Sequence, residues 1–208
     1  MKRNVCVGLL ALLAAVSLVA QAPKGWMLRI DRSASASDPD AAGSVKLAVA
    51  GAGFHATTPQ AAVFWNPVNT VSGAYTVKGT FTLLKPSSHP NYYGIVFGGS
   101  DLGGAAQAYL YFMVAQDGTW LLKHRQGAAT PELGRGSSAV VKRPDATGKS
   151  VNALEVRVLA DKIDYVVNGT VVHTTPKSGV TAKTDGIWGF RSNHVLEIQV
   201  DGLAVSKP

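Results

Sequence analysis

The residue types that usually perform hydrolysis are sparse in this sequence and are not spaced for it. Hydrolysis of a glycosidic bond usually needs a pair of carboxylates, because one donates a proton while the other attacks or activates water. The 208 residues include only three glutamates, Glu132, Glu155 and Glu197, and none lies in the E-x-D-x-x-E spacing that places such groups on one strand. No serine lies in a G-x-S-x-G turn. The sequence therefore indicates neither a carboxylate-pair hydrolase nor a serine hydrolase.

Residue spacing does not indicate a metal site. The five histidines are far apart in sequence, and no H-E-x-x-H motif occurs among them. They are His55, His89, His124, His173 and His194. The Asp38-Pro39-Asp40 segment could bind calcium, but it lacks the further acidic ligands and the well-placed glycine of a calcium loop. The sequence thus predicts no metal ligands and no cofactor.

Aromatic rings interleaved with polar side chains indicate a different chemistry, which is sugar binding. A sugar stacks its C–H face on a ring while its hydroxyls bond to polar tips. A turn at Asp117-Gly118 pairs Ala115 with Trp120 and Tyr111 with His124, so that one face collects several such residues. That face is predicted to hold Tyr109, Tyr111, Met113, Trp120, Leu122 and His124. The alternative is that these rings are half-buried packing residues of the strands.

Two further groups of residues are candidates for ligand binding. Trp188, Arg191, Asn193 and His194 lie near the end of a predicted strand, where the loops of a sandwich gather binding groups. Tyr93 and Asp101, with Tyr92, flank the glycine-rich segment 98–104, whose glycines allow a ligand to approach closely. An ordinary polar turn and a flexible loop are the respective alternatives.

The elements that must position these residues are predicted to be strands throughout. Short β-rich runs alternate with Gly, Pro, Asp, Asn and Ser, as in a sandwich or barrel. The predicted strands are 26–31, 45–49, 54–57, 62–65, 73–84, 92–97, 108–115, 120–125, 153–159, 162–167, 170–174, 186–191 and 195–205, the last with a break near Asp201-Gly202. Asn168-Gly169 lies between two β-branched runs and predicts a type I′ hairpin. Segments 33–43 and 126–150 are predicted to be connections.

The first 22 residues have the three-part layout of a signal peptide. Lys2 and Arg3 precede an apolar stretch, and small residues follow at Ala20 and Ala22, so that cleavage is expected after residue 20 or 22. The remaining 23–208 form one predicted domain, exported to the periplasm or the extracellular space. The single cysteine, Cys6, lies in this leader, so no disulfide is expected.

The charge pattern excludes some classes of partner. The formal charge is +7, and without Lys2 and Arg3 there are 18 basic and 13 acidic residues, which gives +5. These charges are scattered with no run of five of one sign, so nucleic acid is not an expected partner. No membrane span is expected after cleavage, and the oligomeric state stays open.

Several of these runs together resemble a known family pattern. They are Y-G-I-V-F-G-G at 93–99, D-G-T-W at 117–120, V-N-G-T-V-V at 167–172 and T-D-G-I-W-G-F-R at 184–191. From about Val45 onward the chain resembles a concanavalin A-like jelly roll and is most similar to the 3-keto-disaccharide hydrolase family, with laminin-G-like relatives. The resemblance implies an all-β fold, a two-sheet antiparallel jelly-roll sandwich of the lectin and glucanase type. Such a fold does not by itself give a function.

Three hypotheses about function follow. The first is an exported module that binds or processes carbohydrate through its aromatic and polar residues, with a glycan or small sugar as its partner. The second, implied by the resemblance, is a hydrolase of 3-keto-glycosides that needs a base rather than a carboxylate pair; His124 and His194 are the candidates for that base. The third is a non-catalytic envelope or adhesive module.

Overall fold

The described part of the chain, residues 23–33 and 35–208 of a computed structural model, folds as two stacked antiparallel sheets. The leader predicted at 1–22 lies outside the described residues. The strands are β1 (Met27–Asp31), β2 (Lys46–Ala50), β3 (Gly53–Thr58), β4 (Ala61–Val71), β5 (Tyr75–Lys85), β6 (Tyr92–Ser100), β7 (Ala108–Ala115), β8 (Thr119–Gln126), β9 (Glu132–Ser137), β10 (Ser150–Val158), β11 (Lys162–Val167), β12 (Thr170–Pro176), β13 (Gly186–Ser192) and β14 (Leu196–Ser206). A short 3₁₀ helix, Gly179–Ala182, precedes β13.

Each sheet has seven strands. Sheet A has the order β1-β4-β13-β6-β7-β8-β9, and sheet B has the order β12-β11-β10-β5-β14-β3-β2. Neighbours that are distant in sequence, such as β4 and β13, show that long connections cross between the sheets. The predicted all-β, two-sheet antiparallel sandwich is therefore confirmed. Within the described residues, no helix is long and apolar enough to cross a bilayer.

The main core lies between the sheets and follows the alternation of side chains along each strand. Its largest fully buried members come from both sheets, for example Phe81 and Tyr165 of sheet B and Phe97, Phe112 and Phe190 of sheet A. Because residues 23–208 contain no cysteine, this packing stabilises the fold without any disulfide.

A second apolar layer covers the outer face of sheet A. It joins Val63 and Trp65 of β4 to Val96 of β6 and to Tyr109 and Tyr111 of β7. Sheet A is thus packed on both faces, and polar groups on its outer face lie on an apolar base.

The two predicted hairpins differ in outcome. Asn168 and Gly169 form a two-residue turn with φ of 49° and 83°, and Val167 pairs with Thr170, as the type I′ prediction requires. The turn after β7 is one residue longer than predicted, since Val114 pairs with Trp120 and Gly118 adopts φ 87°. This is the geometry of a three-residue hairpin loop that ends in a left-handed residue.

The longer turn reverses the predicted faces of β8. A shift of register by one residue moves every side chain of a strand to the other face. Tyr111 pairs with Lys123, and His124 pairs with Leu110, so the predicted pairing of Tyr111 with His124 is wrong. His124 and Trp120 point between the sheets, where they are 2% and 7% exposed, and Lys123 lies on the outer face instead.

Strand β9 lies within the segment that was predicted to be a connection. Its sequence, E-L-G-R-G-S, is glycine-rich, which explains why strand propensity does not reveal it. The glycines have a packing role: a Cβ at Gly136 would lie 2.7 Å from Cζ2 of Trp120, and a Cβ at Gly134 would lie 3.0 Å from Nε2 of His173. Strand β9 can pair with β8 because its glycines leave room for the indole ring.

Candidate functional site

A pocket lined mainly by polar and charged residues lies on the outer face of sheet A. It has a volume of about 240 Å³ and is bounded by strands β7, β8 and β13 and by the segment that follows β1. Its lining residues are Asp31, Arg32, Ser33, Asp38, Asp40, Ala61, Asn91, Tyr111, Met113, Leu121, Lys123, Arg125, Thr130, Arg191, Asn193 and His194. We call this site the Arg191 pocket.

The pocket is built around the buried ion pair between Arg191 and Asp31. Nη1 of Arg191 donates to Oδ2 of Asp31, and both side chains are less than one-tenth exposed. Nη2 of Arg125 lies 3.4 Å from the other carboxylate oxygen, and Nε of Arg29 lies 3.5 Å from it. One carboxylate therefore faces three guanidinium groups, which leaves a positive excess at the base of the pocket.

Neighbouring groups shift the pKa values of Asp31 and Arg191 so that both side chains are ionised. Burial alone would raise the pKa of Asp31, but the charges of Arg191 and Arg125 and the hydrogen bond from Arg191 hold that pKa below its usual value. Burial likewise disfavours the charged form of Arg191, but Tyr109 and Asp31 outweigh it and raise the pKa of the guanidinium. Both groups are therefore charged at neutral pH.

Two tyrosines of β7 position the guanidinium of Arg191. The Tyr109 hydroxyl accepts a hydrogen bond of 2.9 Å from Nη1 of Arg191. The guanidinium carbon lies 5.5 Å from the centre of the Tyr111 ring, at a distance typical of a cation–π contact. Burial raises the pKa of Tyr111 to about 12, so its hydroxyl stays protonated and can donate to a ligand.

Lys123 and Asn193 offer polar groups to the pocket that the described residues do not engage. Neither side chain has a hydrogen-bond or ion-pair partner among residues 23–33 and 35–208. Burial lowers the pKa of Lys123, although Glu132 opposes this change. A ligand with hydroxyl or carboxylate groups could bind both side chains without breaking an existing contact.

The segment after β1 forms one wall of the pocket. Its turn is closed by side chains, because the Ser33 amide donates to Oδ2 of Asp40 at 2.9 Å and the Ser33 hydroxyl donates to the Asp38 carbonyl at 2.7 Å. This wall contacts the β13–β14 turn, where Nδ1 of His194 lies 3.2 Å from Oδ1 of Asp40. The contacts bring residues from opposite ends of the chain to one side of the pocket.

The structure gathers some of the predicted site residues and separates the others. Tyr111, Arg191, Asn193 and His194 line the Arg191 pocket, and Tyr109 lies beneath it. The residues outside the pocket lining are Tyr93, Asp101, Trp120, His124 and Trp188.

Each residue outside the lining has a structural environment of its own. Tyr93 is fully buried between the sheets, where its hydroxyl lies 3.5 Å from Ser150 Oγ. Trp120 stacks on His173 at 4.7 Å between ring centres, and Trp188 packs against the main core. Asp101 is exposed and accepts a hydrogen bond of 3.0 Å from the Ala106 amide, which stabilises its own loop.

Several lining residues could not be selected from the sequence. Lys123 and Arg125 lie on the same face as Tyr111 because the β7–β8 register differs by one residue from the predicted pairing. Asp31 and Asn91 lie in segments without a recognisable motif, and only the fold places them near Arg191. The one relevant feature in the sequence is Gly118, because glycine readily adopts the positive φ with which a three-residue hairpin loop ends.

Comparison with known proteins gives a fold but no family. No protein-family model and no curated protein sequence matches the chain. Among solved structures, the carbohydrate-binding module CBM66 from Bacillus subtilis superposes with a TM-score of 0.64 at 10% identity and covers 88% of this chain and 96% of that chain. A protein of unknown function with a galectin-like fold, also from Bacillus subtilis, gives a TM-score of 0.62 at 16% identity and covers 88% and 90%.

A third similar structure is the carbohydrate recognition domain of Emp46p in its potassium-bound form. Its TM-score is 0.54 at 12% identity, and the match covers 85% of each chain. At such low identity these likenesses show a shared fold, so the predicted jelly-roll sandwich is confirmed. They do not single out the 3-keto-disaccharide hydrolase family.

Proposed function

We propose that this chain is an exported carbohydrate-binding module and that the Arg191 pocket is its sugar site. The observation on which the proposal rests is the pocket itself, in which the Tyr111 ring lies beside the unengaged side chains of Lys123 and Asn193. The free donors match the hydroxyl edge of a sugar, whereas the Tyr111 ring is 3% exposed and lies against the Arg191 guanidinium, so it offers little surface for stacking. The leader predicted from the sequence supports export.

The names of the similar structures support the same class of ligand. CBM66 is a carbohydrate-binding module, and the Emp46p domain is a carbohydrate recognition domain. The positive excess around Asp31 further favours a sugar that has a carboxylate or many hydroxyl acceptors over a purely apolar ligand.

Glycan-array screening of the purified chain, followed by calorimetric titration with the best sugar, tests this function. We expect Lys123→Ala to weaken binding about tenfold or more, because a hydrogen bond to a charged group contributes about 1.5–3 kcal/mol, and Asn193→Ala to weaken it about two- to tenfold, because a neutral hydrogen bond contributes about 0.5–1.5 kcal/mol. Lys46→Ala is the matched control, since Lys46 is an exposed lysine on sheet B, and it should bind like the wild type. Absence of binding to every glycan, or equal binding by all variants, would contradict the proposal.

A 3-keto-glycoside hydrolase is the second candidate function, and the position of His194 favours it. This imidazole lines the pocket, and Asp40 at Nδ1 orients it as a positioned base would be oriented. In such a reaction the keto group acidifies the neighbouring C–H and the base takes that proton. The glycosidic oxygen leaves with its bonding electrons and is protonated, and water then adds to the C=C double bond that remains, which completes the hydrolysis. His124, the other candidate for the base, is buried between the sheets outside the pocket.

Turnover distinguishes the candidates. Release of free sugar from a 3-keto-disaccharide that is abolished in His194→Gln would establish the hydrolase. Binding without release supports the module alone. If the chain shows no binding and no release, the envelope or adhesive role is favoured.

A further inference from the structure

Two histidines and an aspartate from three distant segments converge beside the Arg191 pocket. Asp38 follows β1, His89 lies between β5 and β6, and His194 lies between β13 and β14. Oδ1 of Asp38 lies 2.7 Å from Nε2 of His89 and 3.0 Å from Nε2 of His194. All three ligand atoms lie within 4.8 Å of one another. Donor atoms of a tetrahedral zinc ion with bonds of about 2.1 Å lie roughly 3.4 Å apart, so the three side chains need to separate by only a few tenths of an ångström to admit an ion.

Hydrogen bonding does not explain these contacts. Oδ1 of Asp38 is shielded from solvent and has no hydrogen bond of good geometry from the described residues, although the Asp38 side chain as a whole is 45% exposed. A buried carboxylate oxygen without a partner is costly, by about 1–3 kcal/mol or more for a charged group. A cation among the three atoms would remove that cost. It would bind the lone pair of His194 Nε2 and would replace the 3.3 Å contact that Nδ2 of Asn91 makes with Nε2 of His89.

Asp40 orients the ring of His194. Nδ1 of His194 lies 3.2 Å from Oδ1 of Asp40, so a proton on Nδ1 leaves Nε2 free to bind a metal. His194 is only 7% exposed at its side chain, which fixes the ring. Metal-bound histidines commonly donate their other ring N–H to a carboxylate in this way.

We propose that Asp38, His89 and His194 bind a divalent first-row transition metal ion, with zinc as the best fit. Imidazole nitrogen and carboxylate oxygen are zinc ligands, and three protein ligands leave one position for water or another ligand. The two nitrogen donors make calcium and magnesium poor candidates, since those ions take oxygen ligands. This proposal does not depend on sugar binding, although Asp38 and His194 also line the Arg191 pocket.

Calorimetric titration with zinc chloride tests the site on the full chain, purified without a histidine tag and dialysed against a chelator. We expect about one zinc ion per chain. His89→Ala should weaken zinc binding by at least about 100-fold, and Asp40→Asn by about 10–100-fold, the range for loss of an outer-shell partner. His55→Ala is the matched control, because His55 also pairs with a carboxylate, Glu197, but lies on sheet B; its zinc affinity should equal that of the wild type.

A second measurement covers the case in which a variant folds poorly. Cobalt added to the wild-type chain should give the visible absorption bands of a four-coordinate ion, and zinc should abolish them by displacement. Zinc binding that is absent in the wild type, or equal in wild type and a folded His89→Ala, would overturn the proposal and show that the cluster is a simple ion-pair network.

The metal proposal and the sugar proposal can be tested independently of each other. His89 does not line the Arg191 pocket, so His89→Ala should retain sugar affinity if only the metal site is lost. Turnover that zinc inhibits would show that His194 cannot bind the ion and act as a base at the same time.

Discussion

Asp31 is the residue on which the electrostatics of the pocket depend. It is a single carboxylate beside three guanidinium groups, and its contacts join β1 to β8 and β13 across the outer face of sheet A. Breaking a buried pair by removing one partner is strongly destabilising, because the remaining charge is left without compensation. The same residue therefore shapes the pocket and stabilises the fold.

We expect Asp31→Asn to lower the free energy of unfolding at pH 7 by about 3 kcal/mol, measured by urea denaturation. The folded-state pKa of Asp31 is depressed, so its stabilising contribution is fully present above the unfolded pKa of about 3.9 and is lost as the pH falls through the lower folded value. The difference between wild type and variant should therefore shrink as the pH is lowered below about 4.

Asp161→Asn is the matched control, because Asp161 is exposed in the turn between β10 and β11. It should change stability by less than about 0.5 kcal/mol. An Asp31→Asn protein as stable as this control at pH 7 would show that the Arg191 pair contributes nothing to folding.

Strands β8 and β9 show how one element determines the face of another. The indole of Trp120 fills the space over Gly136 and stacks on His173 of β12, which anchors the edge of sheet A to sheet B. That anchoring fixes the register in which Lys123 faces the pocket. A side chain on β9 at this point would compete with the ring for the same space.

Gly136→Ala should destabilise the protein by about 1–3 kcal/mol, although alanine restricts the unfolded chain more than glycine does. Combining it with Trp120→Phe should cost less than the sum of the two single changes, because the smaller ring leaves room for the new methyl group. Urea midpoints of the four proteins measure this coupling. Ser137→Ala, an exposed change on the same strand, is the control; additive costs would contradict the packing argument.

The two sheets share one core, so neither is expected to unfold alone. Aromatic residues of both sheets pack together, as Phe112 does with Tyr165 at 5.2 Å between ring centres. We expect far-UV circular dichroism and tryptophan fluorescence to report the same single transition in urea. Since residues 23–208 have no cysteine, a reductant should leave the midpoint unchanged.

Tryptophans at different depths make this test sensitive to partial unfolding. Trp65 lies in the outer layer of sheet A, and Trp120 lies in the core between the sheets. Fluorescence that changes at a lower urea concentration than the dichroism would show that the outer layer melts first and that the pocket is lost before the sandwich.

Most of the strands, most of the turns and the sandwich could be predicted from the sequence, because they depend on alternation and on turn residues that are close together in the chain; strand β9 could not. The Asn168-Gly169 turn is of this kind. The sequence also indicated four of the residues that line the pocket, which are Tyr111, Arg191, Asn193 and His194.

The face on which each of these residues lies and the partners that it contacts depend on the packing of the whole sandwich. A turn longer by one residue placed Lys123 on the pocket and His124 in the core, and local sequence does not fix that length. Asp31 meets Arg191 across 160 positions, and His89 meets His194 across two loops, so no spacing in the sequence could predict either contact. Contacts at such separations form only when the strands between them pair, which is why the chemistry of this protein is visible in its fold and not in its motifs.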